Sequence, residues 1–315
     1  MSASSTIRSV RRPDRAEIDR AREVVRAHLR PTPLLPGRDM TLKLESMQPT
    51  GSFKVRGAFN AVSRTPEDVP IVTASAGNHG LGIAYAARQL GRRATVVVAE
   101  NASPVKVAAL RDSGAELVQV GHSFDDAEAH ALELAARGAH FVSPYNDPDV
   151  IAGQATLGHE LESLLDEPLT VVCGVGGGGL VSGVALWAAA HRNVRVVGVE
   201  AEGSTAMASS VRAGEVVRID IGRTIADGIA GNLEPGSVTV GMVADLVDDL
   251  VTVSEADLRA GIRYLATERG VVAEGAGAAG AAGVLAGAVP RRGRTVVVVS
   301  GRNIALPALA DVLAE

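Results

Sequence analysis

Thr170-Val-Val-Cys-Gly-Val-Gly-Gly-Gly-Gly-Leu180 is the stretch that decides the fold. An apolar run of β-formers ends in successive glycines, and Leu180–His191 then has the composition of a helix. A run without alternation reads as a strand covered on both faces, so the stretch opens a β–α unit of a parallel sheet. Glycines leave backbone N–H groups unobstructed, and the helix that follows adds its positive N-terminal dipole. Together they make an anion cradle suited to phosphate. A tight packing turn could use the same residues, but four successive glycines exceed what a turn needs. Gly174, Gly176 and Gly179 also satisfy G-x-G-x-x-G, and Glu200 closes the next strand near where a dinucleotide site keeps its ribose-binding acid. From this window alone a nicotinamide-dependent oxidoreductase stays open.

The same alternation extends in both directions. Upstream, Ile71–Ser75, Ala94–Ala99, Glu116–Val120 and His140–Val142 read as strands. They are separated by helices over Asn78–Leu90, Ser103–Ser113 (Ser103 as N-cap, Pro104 at N1) and Asp125–Arg137. Downstream, Val194–Glu200 is a strand, and Arg294–Ser300, with its four valines, reads as a late central one. A short strand over Thr41–Glu45 and a helix over Phe53–Ser63 complete the N-terminal part. The expectation is α/β, with two lobes of mainly parallel sheet flanked by helices and a ligand cleft between them.

Composition narrows the function. A net charge of −5 and 3% aromatics give neither the basic stripe nor the stacking platforms of a nucleic-acid binder. One cysteine, Cys173, cannot form an internal disulfide and suits a reducing, cytoplasmic setting. Residues 1–21 lack the apolar core of an export signal. The longest apolar run, Val271–Val289, is rich in Ala and Gly, contains Glu274, and reads as a tightly packed helix rather than a membrane span.

Of 31 basic residues only three are lysines: Lys43, Lys54 and Lys106. Lys54 follows Pro49-Thr-Gly-Ser-Phe and falls in the first turn of a helix with Ser52 as its expected N-cap. The dipole disfavours a cation there, which lowers the lysine pKa and raises its nucleophilic fraction, as Schiff-base chemistry requires. A surface lysine at a helix start is the plainer alternative. Lys43, in an apparent strand, and Lys106, on a helix, read as structural or solvated.

From about Thr32 to Pro307 the chain resembles the serine/threonine dehydratase and serine racemase group of fold-type II pyridoxal-phosphate enzymes, with a tryptophan synthase β-like fold. The resemblance rests on KLESMQPTGSFKVRGA (43–58), TASAGNHG (73–80), VGGGGL (175–180) and SGRN (300–303), in the family's order, supported by IAGQATLG (151–158) and TIADGIAG (224–231). It implies pyridoxal 5′-phosphate on Lys54 and proton transfer by the same amine. It implies phosphate held by Gly176, Gly177, Gly178, Gly179 and the Leu180 amide, with Phe53 beside the ring. Asn78 would bond the 3′-oxygen and Ser300 would face the pyridine nitrogen, where a hydroxyl leaves the ring a weaker electron sink and favours β-elimination. Ser75, Gly77, Asn78 and His79 would receive the substrate carboxylate.

The implied reaction converts L-threonine or L-serine to 2-oxobutyrate or pyruvate plus ammonia, in a homodimer or homotetramer. The implied domains are a large one from 1–62 and 147–315 and a small one from 63–146. A dehydratase for another β-hydroxy amino acid, such as hydroxyaspartate or a product of hydroxyectoine breakdown, shares every motif, and a serine racemase with dehydratase activity is a further alternative. Ala76 stands where racemising members carry a second serine, so elimination should dominate. Ala206 stands in place of an Asp in the divalent-metal site of some racemases, so no metal is expected at Glu200. Arg302 replaces a common glycine, and the chain leaves no room after SGRN for the regulatory domain of biosynthetic threonine dehydratases.

Overall fold

The computed structural model describes residues 8–290 and 292–315; residues 1–7, part of the stretch read for an export signal, lie outside it. α1 (Arg15–His28) precedes the short antiparallel pair β1 (Leu34–Leu35) and β2 (Thr41–Lys43), and α2 (Lys54–Arg64) follows. A regular alternation then runs through β3 (Ile71–Ala74), α3 (Asn78–Gln89), β4 (Ala94–Val98), α4 (Pro104–Asp112), β5 (Glu116–Gln119), α5 (Phe124–Ala136) and β6 (His140–Phe141). The rest of the chain forms α6 (Pro148–His159), β7 (Leu169–Gly174), α7 (Gly179–Ala188), β8 (Val194–Ala201), α8 (Ala206–Ala213), α9 (Val238–Leu246) and β9 (Asp249–Val253). It ends with α10 (Glu255–Thr267), α11 (Gly275–Leu285), β10 (Arg294–Val298) and α12 (Leu306–Leu313).

These strands make two sheets. The larger has the order β1-β2-β10-β7-β8-β9 and is parallel except at β1; the smaller, β5-β4-β3-β6, is wholly parallel. Late in sequence, β10 inserts between β2 and β7, with Val296 opposite Val171 and Val297 opposite Val172. Side chains alternate across the pleat. Val172, Val197, Val199, Val297 and Val299 therefore enter the core under α10 and α11, whereas Val171, Cys173, Val196, Val296 and Val298 enter the one under α7. The valine runs are central strands covered on both faces, as their composition predicts.

The Ala/Gly run is shorter as a helix than expected. Residues 271–274 are not helical, and α11 begins at Gly275. Its small residues bring it close onto the sheet: a methyl on Gly280 would lie 2.9 Å from Val297 Cγ1, and one on Gly283 3.1 Å from Val199 Cγ2. No helix among the described residues is long and apolar enough to cross a membrane.

Candidate active site

The helix that carries Lys54 is anchored by buried charge. Arg56, two residues on, donates from Nε and Nη2 to the two oxygens of Glu45 at 2.7 and 2.8 Å, and pairs through Nη1 with Glu160 at 2.7 Å. Lys43 joins the same cluster, bonding the Thr32 carbonyl at 2.7 Å and the Glu160 carboxylate. Burial opposes charge on both Arg56 and Glu45, but the fork geometry outweighs it, so the guanidinium pKa is raised and the carboxyl lowered. Two cations and two carboxylates thus tie α2 to β2 and α6.

Lys54 is the first residue of α2, as expected, but Ser52 is not its N-cap. Phe53 occupies that position without a side-chain bond, while Ser52 forms a bridge to Gly301 and leaves its hydroxyl unpartnered. The amine donates to the Pro144 carbonyl at 2.7 Å and lies 5.1 Å from the Phe53 ring. It forms no ion pair among the described residues. Burial lowers its pKa to about 8, opposed by the Glu274 carboxylate, so burial rather than the start of a helix is the main cause.

Beside Pro144 lies the glycine loop. A methyl on Gly177 would sit 2.2 Å from the Tyr145 ring, one on Gly179 3.0 Å from Tyr145 Cα, and one on Gly176 2.8 Å from Ile229 Cα. Gly178 is left-handed at φ +84°. Packing and backbone conformation therefore account for all four glycines, and their number is no argument for phosphate. What favours an anion is the end of α7: Gly178 caps it with no side chain, so its first-turn amides have no side-chain partner. Pro144 touches the amine and Tyr145 touches the loop, so one dipeptide spans both features.

The third wall is the start of α3. Gly77 is its N-cap, without a side-chain bond, and a methyl there would meet nothing within 4 Å. The Gly77 N–H donates to Ser75 Oγ at 3.2 Å. Asn78 is the first helical residue rather than a cap; its Nδ2 donates to Glu274 at 2.6 Å and its Oδ1 accepts from Asn303 Nδ2 at 2.6 Å. His79 is buried, and its Nε2 lies 3.1 Å from the Val142 carbonyl, which can only accept. Nε2 therefore carries the proton, and Nδ1 is left bare and unpartnered. Burial, then the Lys54 charge, pushes its pKa down to about 3, so the ring is neutral. Ser300 is buried, with Oγ 3.4 Å from the Ala276 carbonyl.

Phe53, Lys54, Ser75–Asn78, Gly176 and Gly177 are partly open where the segments around them are buried. They outline one cleft with an amine, two uncapped helix starts and an amide. That donor set fits a phosphorylated aldehyde with a carboxylated partner.

Other expectations are corrected. Glu200 is spent locally: it accepts from the Met207 and Ala208 amides at 2.9 and 3.0 Å at the start of α8. It is not free to bind a ribose, which removes the oxidoreductase reading of the glycine loop. Lys43 is structural, and Lys106 is exposed in a 2.7 Å pair with Asp227. Arg302 donates to the Ser46 carbonyl and lines a surface pocket with Tyr85, Arg88 and Asn303. Pro144, Tyr145, Glu274 and Asn303 were not singled out by sequence. Asn303 closes the SGRN motif, and Glu274 carried a signal as the sole charge within Val271–Val289.

Residues 25–301 match the family described as pyridoxal-phosphate dependent enzyme. An L-threonine ammonia-lyase of Thermotoga maritima is 41% identical over 273 residues, covering 85% of this chain and 68% of that protein. Maize serine racemase superposes with a TM-score of 0.88 at 28% identity, over 96% of this chain and 98% of its own. The processed form of threonine deaminase isoform 2 from Solanum lycopersicum does so with a TM-score of 0.85 at 30% identity, over 100% and 98%. Sequence match and fold likeness agree, and the chain belongs to the pyridoxal-phosphate dependent enzymes.

Proposed function

We propose that this enzyme removes water and then ammonia from L-threonine or L-serine, releasing 2-oxobutyrate or pyruvate. The observation that carries the reading is Lys54: an amine without an ion pair among the described residues, its pKa lowered to about 8 by burial, bonded to the Pro144 carbonyl, whose neighbour Tyr145 packs on the glycine loop. The relatives named as threonine ammonia-lyase and threonine deaminase support the substrate. Pyridoxal phosphate is the cofactor; when bound, it withdraws electrons from the substrate Cα and so makes its proton removable.

The chain's own groups supply the rest. Lys54 would hold the cofactor's aldehyde, and its Nζ would take the Cα proton once the substrate amine has replaced it. Gly176, Gly177, Gly178, Gly179 and the Leu180 amide hold phosphate at the start of α7. Asn78 would donate to the ring oxygen, Phe53 would flank the ring, and Ser300 would offer only a hydroxyl to the ring nitrogen. Ser75, Gly77, Asn78 and the His79 amide receive the substrate carboxylate at the start of α3. We place the division into domains at 1–62 with 147–315 and at 63–146, the protein in the cytoplasm, and its assembly as a homodimer or homotetramer.

Racemisation is the second reading, favoured by the likeness to maize serine racemase. It requires a proton donor on the opposite face. Ala76 has none to give and packs against the cluster of Val96, Val98 and Leu110. Elimination is therefore the main outcome. Borohydride reduction of the holoenzyme, with mapping of the labelled peptide, tests the assignment; label on Lys43 or Lys106, or no label, overturns it. Keto-acid release across a panel including threonine, serine and hydroxyaspartate identifies the substrate.

A further inference from the structure

Glu274 stands at the N-cap of α11 with extended backbone (φ −76°, ψ 165°), yet its side chain makes no cap bond. An acidic side chain at a helix start is favoured by the dipole and commonly returns to the first-turn amides. This one turns toward the cleft. Oε1 accepts from Asn78 Nδ2 at 2.6 Å, and the backbone N–H of Asn303 donates to the same carboxylate. A methyl on Gly301 would lie 2.1 Å from Oε1, so the glycine of SGRN makes room for this carboxylate. Glu274 is only 7% exposed, and burial pushes its pKa up to about 7 against the Asn78 bond.

The contact fixes Asn78. When ionised, the carboxylate only accepts, so the amide turns its nitrogen to Glu274 and its oxygen to Asn303, which is held in turn by the Thr50 carbonyl at 2.9 Å. One Asn78 N–H is used, and the other remains for a ligand in the cleft. Lys106 on α4 and Asp227 in the turn 227–229 act on Glu274, and Glu274 acts in turn on Lys54. His79 beside Lys54 is neutral.

We propose that Glu274 is a positioning residue of this enzyme: it locks the Asn78 amide in one orientation and supplies the negative charge that lets half-buried Lys54 keep a proton between taking and returning it. The proposal rests on Lys54 as the reactive amine. Without that charge, only burial acts on Lys54, and the amine becomes a poorer proton carrier.

The test uses wild type, Glu274→Gln and Glu274→Asp. In the apoenzymes, the pH dependence of Lys54 modification by an amine-selective reagent, read on the mapped peptide, gives the ionisation midpoint. Glutamine still accepts the Asn78 N–H but is uncharged, so the midpoint should fall by about one to two pH units. Aspartate keeps the charge but is too short to reach Asn78. Its midpoint should stay near wild type while cofactor affinity drops about tenfold, the loss of one charge-assisted bond. An unmoved midpoint in Glu274→Gln overturns the proposal, even if activity and stability fall, because a merely structural role predicts that pattern. Should Glu274→Gln not fold, an Asp variant with wild-type cofactor affinity overturns it equally. The apoenzyme midpoint is read whichever lysine borohydride labels, so failure of the functional assignment remains distinguishable.

Discussion

Gly177→Ala should destabilise the protein by about 2–4 kcal/mol, for reasons unrelated to the loop's own flexibility. The ideal Cβ falls 2.2 Å from Tyr145 Cδ1 and 2.3 Å from Cγ, whereas ordinary contact begins near 3.4 Å. The ring must therefore retreat by about 1.2 Å. Overpacking of this kind costs about 1–3 kcal/mol. The retreat also breaks the 2.7 Å bond in which the Glu234 N–H donates to Tyr145 Oη, worth about 1 kcal/mol. Because Tyr145 follows Pro144, the carbonyl that holds Lys54 moves as well, and reductive labelling of Lys54 should fall in parallel. Urea unfolding of the apoenzyme measures the cost. Gly241→Ala is the control: it lies within α9 with nothing near its added methyl, so it should be neutral or stabilising by up to about 1 kcal/mol. A double-mutant cycle decides the cause, since in a Tyr145→Ala background the Gly177→Ala penalty should largely vanish. If it persists unchanged, the clash with Tyr145 is not why this position is glycine.

Three further outcomes are expected. Cofactor capture by the apoenzyme needs the neutral amine of Lys54, so its rate, followed by visible absorbance, should rise about tenfold per pH unit and level off near pH 8; a continued rise to about pH 10 would mean a solvated lysine. His79 is neutral in the folded state, with a pKa lowered from 6.5 to about 3. Its contribution is complete above pH 6.5 and is lost as pH falls toward 3, because only the unfolded chain takes up the proton. Against a His79→Gln reference, wild type should lose about 2–3 kcal/mol between about pH 7.5 and 4.5 in urea melts; parallel curves would refute the neutral assignment. Arg56→Met leaves Glu45 buried and unpaired and should cost about 3–5 kcal/mol by the same melts, with no loss expected if that cluster were solvated.

Much of this was legible in the sequence because it is local. Val-rich runs such as Arg294–Val298 read as central strands, and β10 is one. Its place between β2 and β7 was not legible, since it depends on pairing between segments far apart in the chain. The motif resemblance, rather than its local setting, singled out Lys54 from three lysines, and the cause of its low pKa was not legible. That cause is burial against Pro144, remote in the chain, whereas sequence offered only the helix start. Ser52 misled for the same reason: a hydroxyl before a helix is a good local cap, but pairing with Gly301 took it elsewhere. The glycine loop reverses the lesson. Its place between a strand and a helix was legible, but the reason for four glycines was not, because Tyr145 and Ile229 are what crowd them.

The three lysines show how one fold separates amine roles by surroundings alone. Lys43 is buried, and although burial lowers its pKa, Glu160 and Glu45 oppose that, so its proton is shared within an ion cluster. Lys106 lies at the surface, paired with Asp227 at 2.7 Å. Lys54 alone combines burial with a neutral acceptor, the Pro144 carbonyl, and a carboxylate that acts on it through charge without forming an ion pair. A carboxylate in contact would hold the amine protonated and unreactive; no carboxylate at all would leave it unable to keep the proton it removes. A nucleophile that must also carry a proton needs the intermediate case, which is the role proposed for Glu274, held by Asn78 on one side and fitted against Gly301 on the other.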